Sequence, residues 1–325
     1  MTFKRARLSR RITFWSTTFW PITLWHMRYQ QELALCFVTM IWGATFLVIR
    51  MAMEACGPLF FVGLRFGSAA LILLALSWTL LAQITRRELL GGVLLGCIVF
   101  LGFALQTAGL ASLDAAKSAF LTAFYVPLVP LIEWLLMKRR PSARSFVSLS
   151  LAFVGVILLS GGFNINLEGS RGEMLTLLCS LLFALEIVCT GMVAPGSNTR
   201  RLALVELTVT ALLSFALMPV TGEGLPEFSW FVVLSACGLG VSTALIQSVI
   251  VWAQKTIPPS RATLIYTAEP VWGGIFGYMA GERLAPSALA GCGLVISGLL
   301  TSIGRKNKTL PEKTPSEADK STERQ

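Results

Sequence analysis

The run from Leu89 to Ala111, LLGGVLLGCIVFLGFALQTAGLA, carries no charge and is long enough to cross a bilayer as a helix. Comparable runs recur between clusters of charged or turn residues. They place candidate spans at about 33–53, 60–82, 89–111, 115–137, 144–162, 173–195, 202–221, 228–252, 259–280 and 284–304. Gly57-Pro58, Gly161-Gly162 and Pro258-Pro259 punctuate the connections. Only 14% of the residues are charged, against roughly 25% in soluble chains, and mean hydropathy is +0.70. A transmembrane barrel would show short stretches of alternating polarity instead of unbroken runs. The expected fold is therefore an all-α integral membrane protein of ten transmembrane helices, with no room for a large soluble domain.

The net charge of +10 would suggest a nucleic-acid partner in a soluble protein. Here the basic residues sit between the apolar runs and in the tails, where the retention of Lys and Arg in cytoplasmic loops explains them, and no nucleic acid is expected. With the amino terminus inside, of the 27 Lys and Arg only Arg50, Arg65, Lys117, Arg171 and Arg283 fall at or near the outer side. An even number of spans then puts both termini in the cytoplasm, most naturally at a bacterial inner membrane. The seven cysteines form no CxxC pair and read as small packing residues, so neither a metal nor another cofactor is expected.

Residues 305–325 have almost no large apolar side chain and read as a disordered cytoplasmic tail. Residues 1–32 form a basic segment holding Trp15, Trp20, Trp25 and the sole histidine, His26. Its uncharged part is too short to span and lacks a cleavage pattern. Two readings stand: a segment lying at the membrane surface, or sequence upstream of a true start at Met27.

A shift of 143 positions lays the segment beginning at Lys117 over the one beginning at Ser260, matching Pro127 with Pro270, Arg140 with Arg283 and Gly155 with Gly298. The chain thus divides into repeats at 33–162 and 163–304. Five spans per repeat is an odd number, so the second repeat enters the membrane upside down relative to the first. The strongly basic KRRPSARS then faces inward and its counterpart GERLAPSA outward.

Trp42-Gly43 with Thr45-Phe46, Leu64-Arg65-Phe66, the Pro127 segment, and above all Ala268-Glu269-Pro270-Val271 followed by Gly281-Glu282-Arg283-Leu284 and Gly291 to Gly298 resemble the EamA-type transporters of the drug/metabolite transporter superfamily. The resemblance runs from about residue 33 to 304 and implies two inverted five-helix repeats. Two positions depart from the family pattern. Arg139 stands where an acidic residue usually follows the fourth span, and Glu186 where Trp or Tyr is usual in the sixth.

Ionisable groups at bilayer depth are costly and are functional candidates by default. Glu186 and Glu269 fall near the midplane of their spans, whereas Arg50, Arg65, Lys117, Glu133 and Glu206 lie near span ends and read first as anchors that snorkel to water. Arg65 keeps a site role through the resemblance. Pro270 should kink the ninth span beside Glu269, which leaves that acid two readings, a structural cap on the break or a proton or cation site. Glu186 has no proline or basic neighbour in its own helix and is a candidate for substrate or proton binding. With no basic residue expected at that depth, cationic or zwitterionic solutes, or proton coupling, are favoured over phosphorylated cargo. Tyr125, Tyr266, Trp42, Trp272, Ser242 and Thr243 are candidate lining groups of an amphipathic cavity, with helix packing as the alternative. Gly91-Gly92, Gly273-Gly274 and GCGLVISG read as close helix contacts.

No ATP-binding glycine loop, HExxH, GxSxG or membrane-depth histidine is present, so an enzyme is not expected. The expected function is a secondary transporter of small organic solutes, amino-acid-like or drug/metabolite cargo, working by alternating access as exporter or exchanger. Protons are the candidate coupling ion, and membrane lipids the surrounding partners. A membrane enzyme or lipid-handling protein, and a transport fold without transport, remain as alternatives.

Overall fold

A computed structural model describes residues 29–113, 115–138, 140–159, 169–279 and 285–303. The segment up to residue 28 with His26, Gly161-Gly162, the loop with Glu282 and Arg283, Arg139 and the carboxyl-terminal tail lie outside the described residues. The structure is all-helical over those residues, as the apolar runs require of a chain whose backbone must satisfy itself in lipid. In order the helices are α1 (29–43), α2 (Thr45–Ala52), α3 (Pro58–Ser77), α4 (Arg86–Leu110), α5 (Ala115–Thr122), α6 (Tyr125–Met137) and α7 (Ala143–Leu159). Then come α8 (Arg171–Val193), α9 (Thr199–Thr221), α10 (Trp230–Ala253), α11 (Pro259–Tyr266), α12 (Glu269–Met279) and α13 (Pro286–Ile303).

Among the described residues six helices are long and apolar enough to cross a membrane, and Ala143–Leu159 and Pro286–Thr301 are shorter apolar helices. The expected spans at 33–53, 115–137 and 259–280 are each divided into two helices. Prolines account for two of these breaks. Pro127 has no N–H to give the carbonyl of Ala123, and Pro270 none to give that of Tyr266, so the helix stops five residues before Pro127 and four before Pro270 and restarts two and one residues before them. The first break, at Ala44, follows Gly43, where a Cβ would lie 2.9 Å from the backbone nitrogen of Gly273. Glycine there lets the divided first and ninth spans meet backbone to backbone.

Helix starts are fixed by side chains. Thr85 with Glu88 and Ser170 with Glu173 form reciprocal capping boxes, and Asn198 and Ser229 cap α9 and α10. The buried carboxylate of Glu88 also takes a two-pronged contact from Arg201, at 2.8 Å from both Nε and Nη2. One acid thereby joins the start of α4 to the start of α9.

Packing pairs helices from the two sequence repeats. α3 lies against α9 and α7 against α13, while α4 packs on α8 and α9 and α10 on α2 and α3. The α7–α13 seam brings backbone close to backbone, because a Cβ on Gly291 would come 2.5 Å from the carbonyl oxygen of Gly155. Small residues admit that approach, as membrane helices without a hydrophobic drive between them need. The outward faces keep Leu71, Leu135, Leu212 and Leu300 exposed, as suits contact with acyl chains.

Candidate functional site

The divided helices surround a cavity of about 80 Å³ in the middle of the bundle. A helix break leaves backbone and side-chain polar groups where an unbroken span would present only its packed flank, and here α1/α2, α5/α6 and α11/α12 all contribute to the wall. Trp42 and Thr45 come from the first break, Thr122 and Tyr125 from the second, and Tyr266 and Glu269 from the third. The intact helices add Arg65 and Phe66 from α3, Phe103 and Gln106 from α4, Phe183 and Glu186 from α8, and Thr243 and Gln247 from α10.

Of the residues singled out from sequence, Glu186, Glu269, Tyr125, Tyr266, Trp42, Thr243 and Arg65 line this cavity. Trp272 and Ser242 do not. Trp272 stacks on Phe276 within α12, and the hydroxyl of Ser242 turns back to the carbonyl of Gly238 in its own helix at 3.4 Å. The expectation that no basic group reaches the depth of the acids needs correction, because Arg65 is buried in the same cavity wall. Seven residues beyond Pro58, about 10 Å along the helix, it is too deep in a packed face to snorkel. Its Nε donates to Thr243 Oγ1 at 2.8 Å, and the guanidinium carbon lies 5.2 Å from the Phe103 ring centroid and 5.7 Å from that of Phe66. Two aromatic faces thus receive the cation while one edge is tied to α10.

Glu206, read from sequence as an anchor, is likewise internal and fully buried. The Gln247 side-chain amide nitrogen donates to Glu186 Oε1 at 3.2 Å and also to Glu206 Oε1. No ion pair to Arg65, Glu186, Glu206 or Glu269 is formed among the described residues. Glu269 opens α12, and its break is closed by backbone bonds from Thr267 to Thr263 and from Ala268 to Ile265. Tyr266 meets Trp42 edge to face at 5.2 Å between centroids and accepts a hydrogen bond from Gln254 at 3.3 Å.

Gln247 and Gln106 also line the cavity but are not among the ionisable, aromatic and hydroxyl groups singled out from sequence. An amide in the middle of an apolar run was the available signal, since lipid penalises any unpartnered polar group.

The cavity wall runs from the breaks toward Ile49, Arg65 and Gln106. On the other side of the breaks Leu35, Val38, Ala253, Ile257 and Leu264 pack into an apolar plug. Beyond that plug the repeats are cross-linked. Gln31 donates to the carbonyl of Trp252 at 3.3 Å and accepts from the Thr256 hydroxyl, and Arg261 meets Glu32 at 2.7 Å. The Ser260 backbone N–H donates to Glu133 Oε2 at 3.1 Å, and its hydroxyl donates to the same oxygen.

Comparison with known proteins bears on this arrangement. The EamA-like transporter family matches residues 31–161 and 170–304. A protein described as an uncharacterized transporter of Archaeoglobus fulgidus is 30% identical over 279 residues, covering 84% of this chain and 85% of its own. The uncharacterized inner membrane transporter YedA of Escherichia coli K12 is 26% identical over 290 residues, covering 86% and 94%. A solved crystal structure superposes with a TM-score of 0.71 at 17% identity, over 84% of this chain and 96% of that one, a likeness of fold alone.

Proposed function

The chain belongs to the EamA-like transporter family, and from that premise we propose that it carries a small zwitterionic, amino-acid-like solute through the central cavity by alternating access. It is a membrane transporter by kinship. The proposal concerns cargo, route and direction. The observation that supports it is the presence, in one buried wall, of a guanidinium and two carboxylates that do not pair with one another. A buried charge without a partner is expensive, and a ligand bearing the opposite charges supplies what the wall lacks. A carboxylate suits the forked donors of Arg65, and an ammonium suits Glu186 and Glu269. The aromatic rings of Trp42, Phe103, Phe183 and Tyr266 supply apolar surface for the remainder of the solute.

The cavity is small, so the described conformation fits compact solutes or the polar head of larger ones. With the amino terminus in the cytoplasm, the sealed end at Glu32, Glu133, Ser260 and Arg261 is the inner gate and the cavity faces outward. Export or exchange across a bacterial inner membrane then requires that seal to break while the outer end closes. Uptake of labelled amino acids into proteoliposomes tests the reading. Accumulation of at least one above protein-free vesicles supports it, and none across the set contradicts it.

A further inference from the structure

Behind the cavity wall lies Glu206, a buried acid that the cargo reading leaves unused. Glu206 sits on α9 and does not line the cavity, whereas Glu186 and Gln247 do. The single Gln247 amide nitrogen reaches one oxygen of each carboxylate, so both acids are held against a common neutral donor. The other oxygen of Glu206, Oε2, is buried without a hydrogen-bond partner. Among the described residues no cation pairs with either acid. α8 offers Cys179 and Cys189; α3 offers Arg65, tied to Thr243 of α10 and seated on Phe66 and Phe103. α4 offers the Gly96 carbonyl, which takes the Thr210 hydroxyl, together with Cys97, and α11 offers Tyr266, bonded to Gln254.

Two carboxylates that meet only one amide carry more negative charge than such a place can hold, and like charges so arranged cannot both ionise freely. A metal cation is a poor remedy, because the group projecting between the acids is an N–H donor and not an oxygen ligand. A proton needs only the lone pair that Glu206 Oε2 leaves unused.

We propose that Glu186, Gln247 and Glu206 form a proton-binding site in which the two carboxylates share one proton, with Glu186 as its face toward the cavity. The inference rests on the transporter reading for its purpose. On loading, one proton bonds to a carboxylate oxygen and the pair goes from two negative charges to one. On release the proton leaves through the cavity by way of Glu186, which lines it and is joined to Glu206 through the Gln247 amide. An ammonium arriving at Glu186 favours the doubly ionised pair, so cargo and proton compete and their movements are linked. Gln247 is a positioning residue that fixes the two acids relative to each other.

Infrared difference spectroscopy of the full-length protein in proteoliposomes, titrated from acid to alkaline pH without any cargo, tests this directly. Subtracting the Glu206→Gln and Glu186→Gln spectra from wild type isolates each carboxylic acid band. The expected result is that each variant moves the partner's midpoint toward acid by about one pH unit or more, as removal of a coupled like charge requires. A midpoint unmoved in both variants overturns the proposal, as does a Glu206 band that never titrates, which would mark a permanently neutral structural acid. Gln247→Leu, which deletes the shared amide, should alter both bands together, and loss of only one contradicts the shared site. Because no solute is present, failure here is separable from failure to find a transported cargo.

Discussion

Arg65 and Thr243, one from each sequence repeat, are joined inside the cavity by a 2.8 Å hydrogen bond from the guanidinium Nε to the hydroxyl oxygen. That bond fixes the orientation of a planar fork whose remaining N–H groups are left to donate to a ligand. Lysine has the charge but neither the plane nor the fork. Arg65→Lys should therefore insert normally and lose roughly 10-fold or more in transport, the worth of one charged hydrogen bond. Thr243→Val, which removes only the tether, should cost less, with uptake rates in proteoliposomes giving the order.

The sealed end joins the start of α11 to α6 through Ser260 and Glu133. Ser260→Ala and Glu133→Gln each weaken it by about 0.5–1.5 kcal/mol, or roughly 2- to 10-fold in the population with that end open. A cysteine replacing Ala253 in the plug reports the change. Its reaction with a membrane-impermeant thiol reagent from the amino-terminal side should speed up by that factor, and an unchanged rate would show that the seal lies elsewhere. The Arg261–Glu32 pair is partly exposed and should matter less.

The α7–α13 seam should be intolerant of added volume. A Cβ on Gly155 would lie 2.7 Å from the carbonyl oxygen of Gly291, with no flexible side chain to yield. Gly155→Ala and Gly291→Ala should each destabilise the protein by about 1–3 kcal/mol. Thermal unfolding in detergent measures this, and Gly293→Ala, where a Cβ meets nothing, is the neutral control.

Much of this was readable from sequence, because lipid leaves few alternatives. The apolar runs placed the helices from α3 to α13 to within a few residues, and Pro270 announced its own break. The splitting of the fourth span at Pro127 was equally implicit in proline's missing N–H but was not drawn from it. Helix starts were written as T-R-R-E at Thr85 and S-R-G-E at Ser170, which are capping-box patterns. Depth along a helix misled for Arg65 and Glu206. Distance from a span end says how far a side chain is from water only if that face meets lipid, and both residues face other helices. Which amides would meet which acids depends on packing between distant segments, so the contacts of Gln247 left no trace in the local sequence.

Sidedness separates the inverted repeat from a parallel one. Single cysteines replacing Ser142 and Ser287 should react with impermeant reagents from opposite faces of oriented vesicles, the first from inside and the second from outside. Labelling of both from the same face would contradict the inversion.

In the cargo reading proposed above, Arg65 and the acids of one cavity read the two ends of a zwitterion. The most direct test is competition in proteoliposomes between leucine and leucinamide, which differ in the carboxylate alone, for wild type and Arg65→Gln. Wild type should prefer leucine, and Arg65→Gln should lose that preference by roughly 10-fold or more while still admitting the cationic amide. An Arg65→Gln variant that discriminates between the two solutes as wild type does would contradict the account.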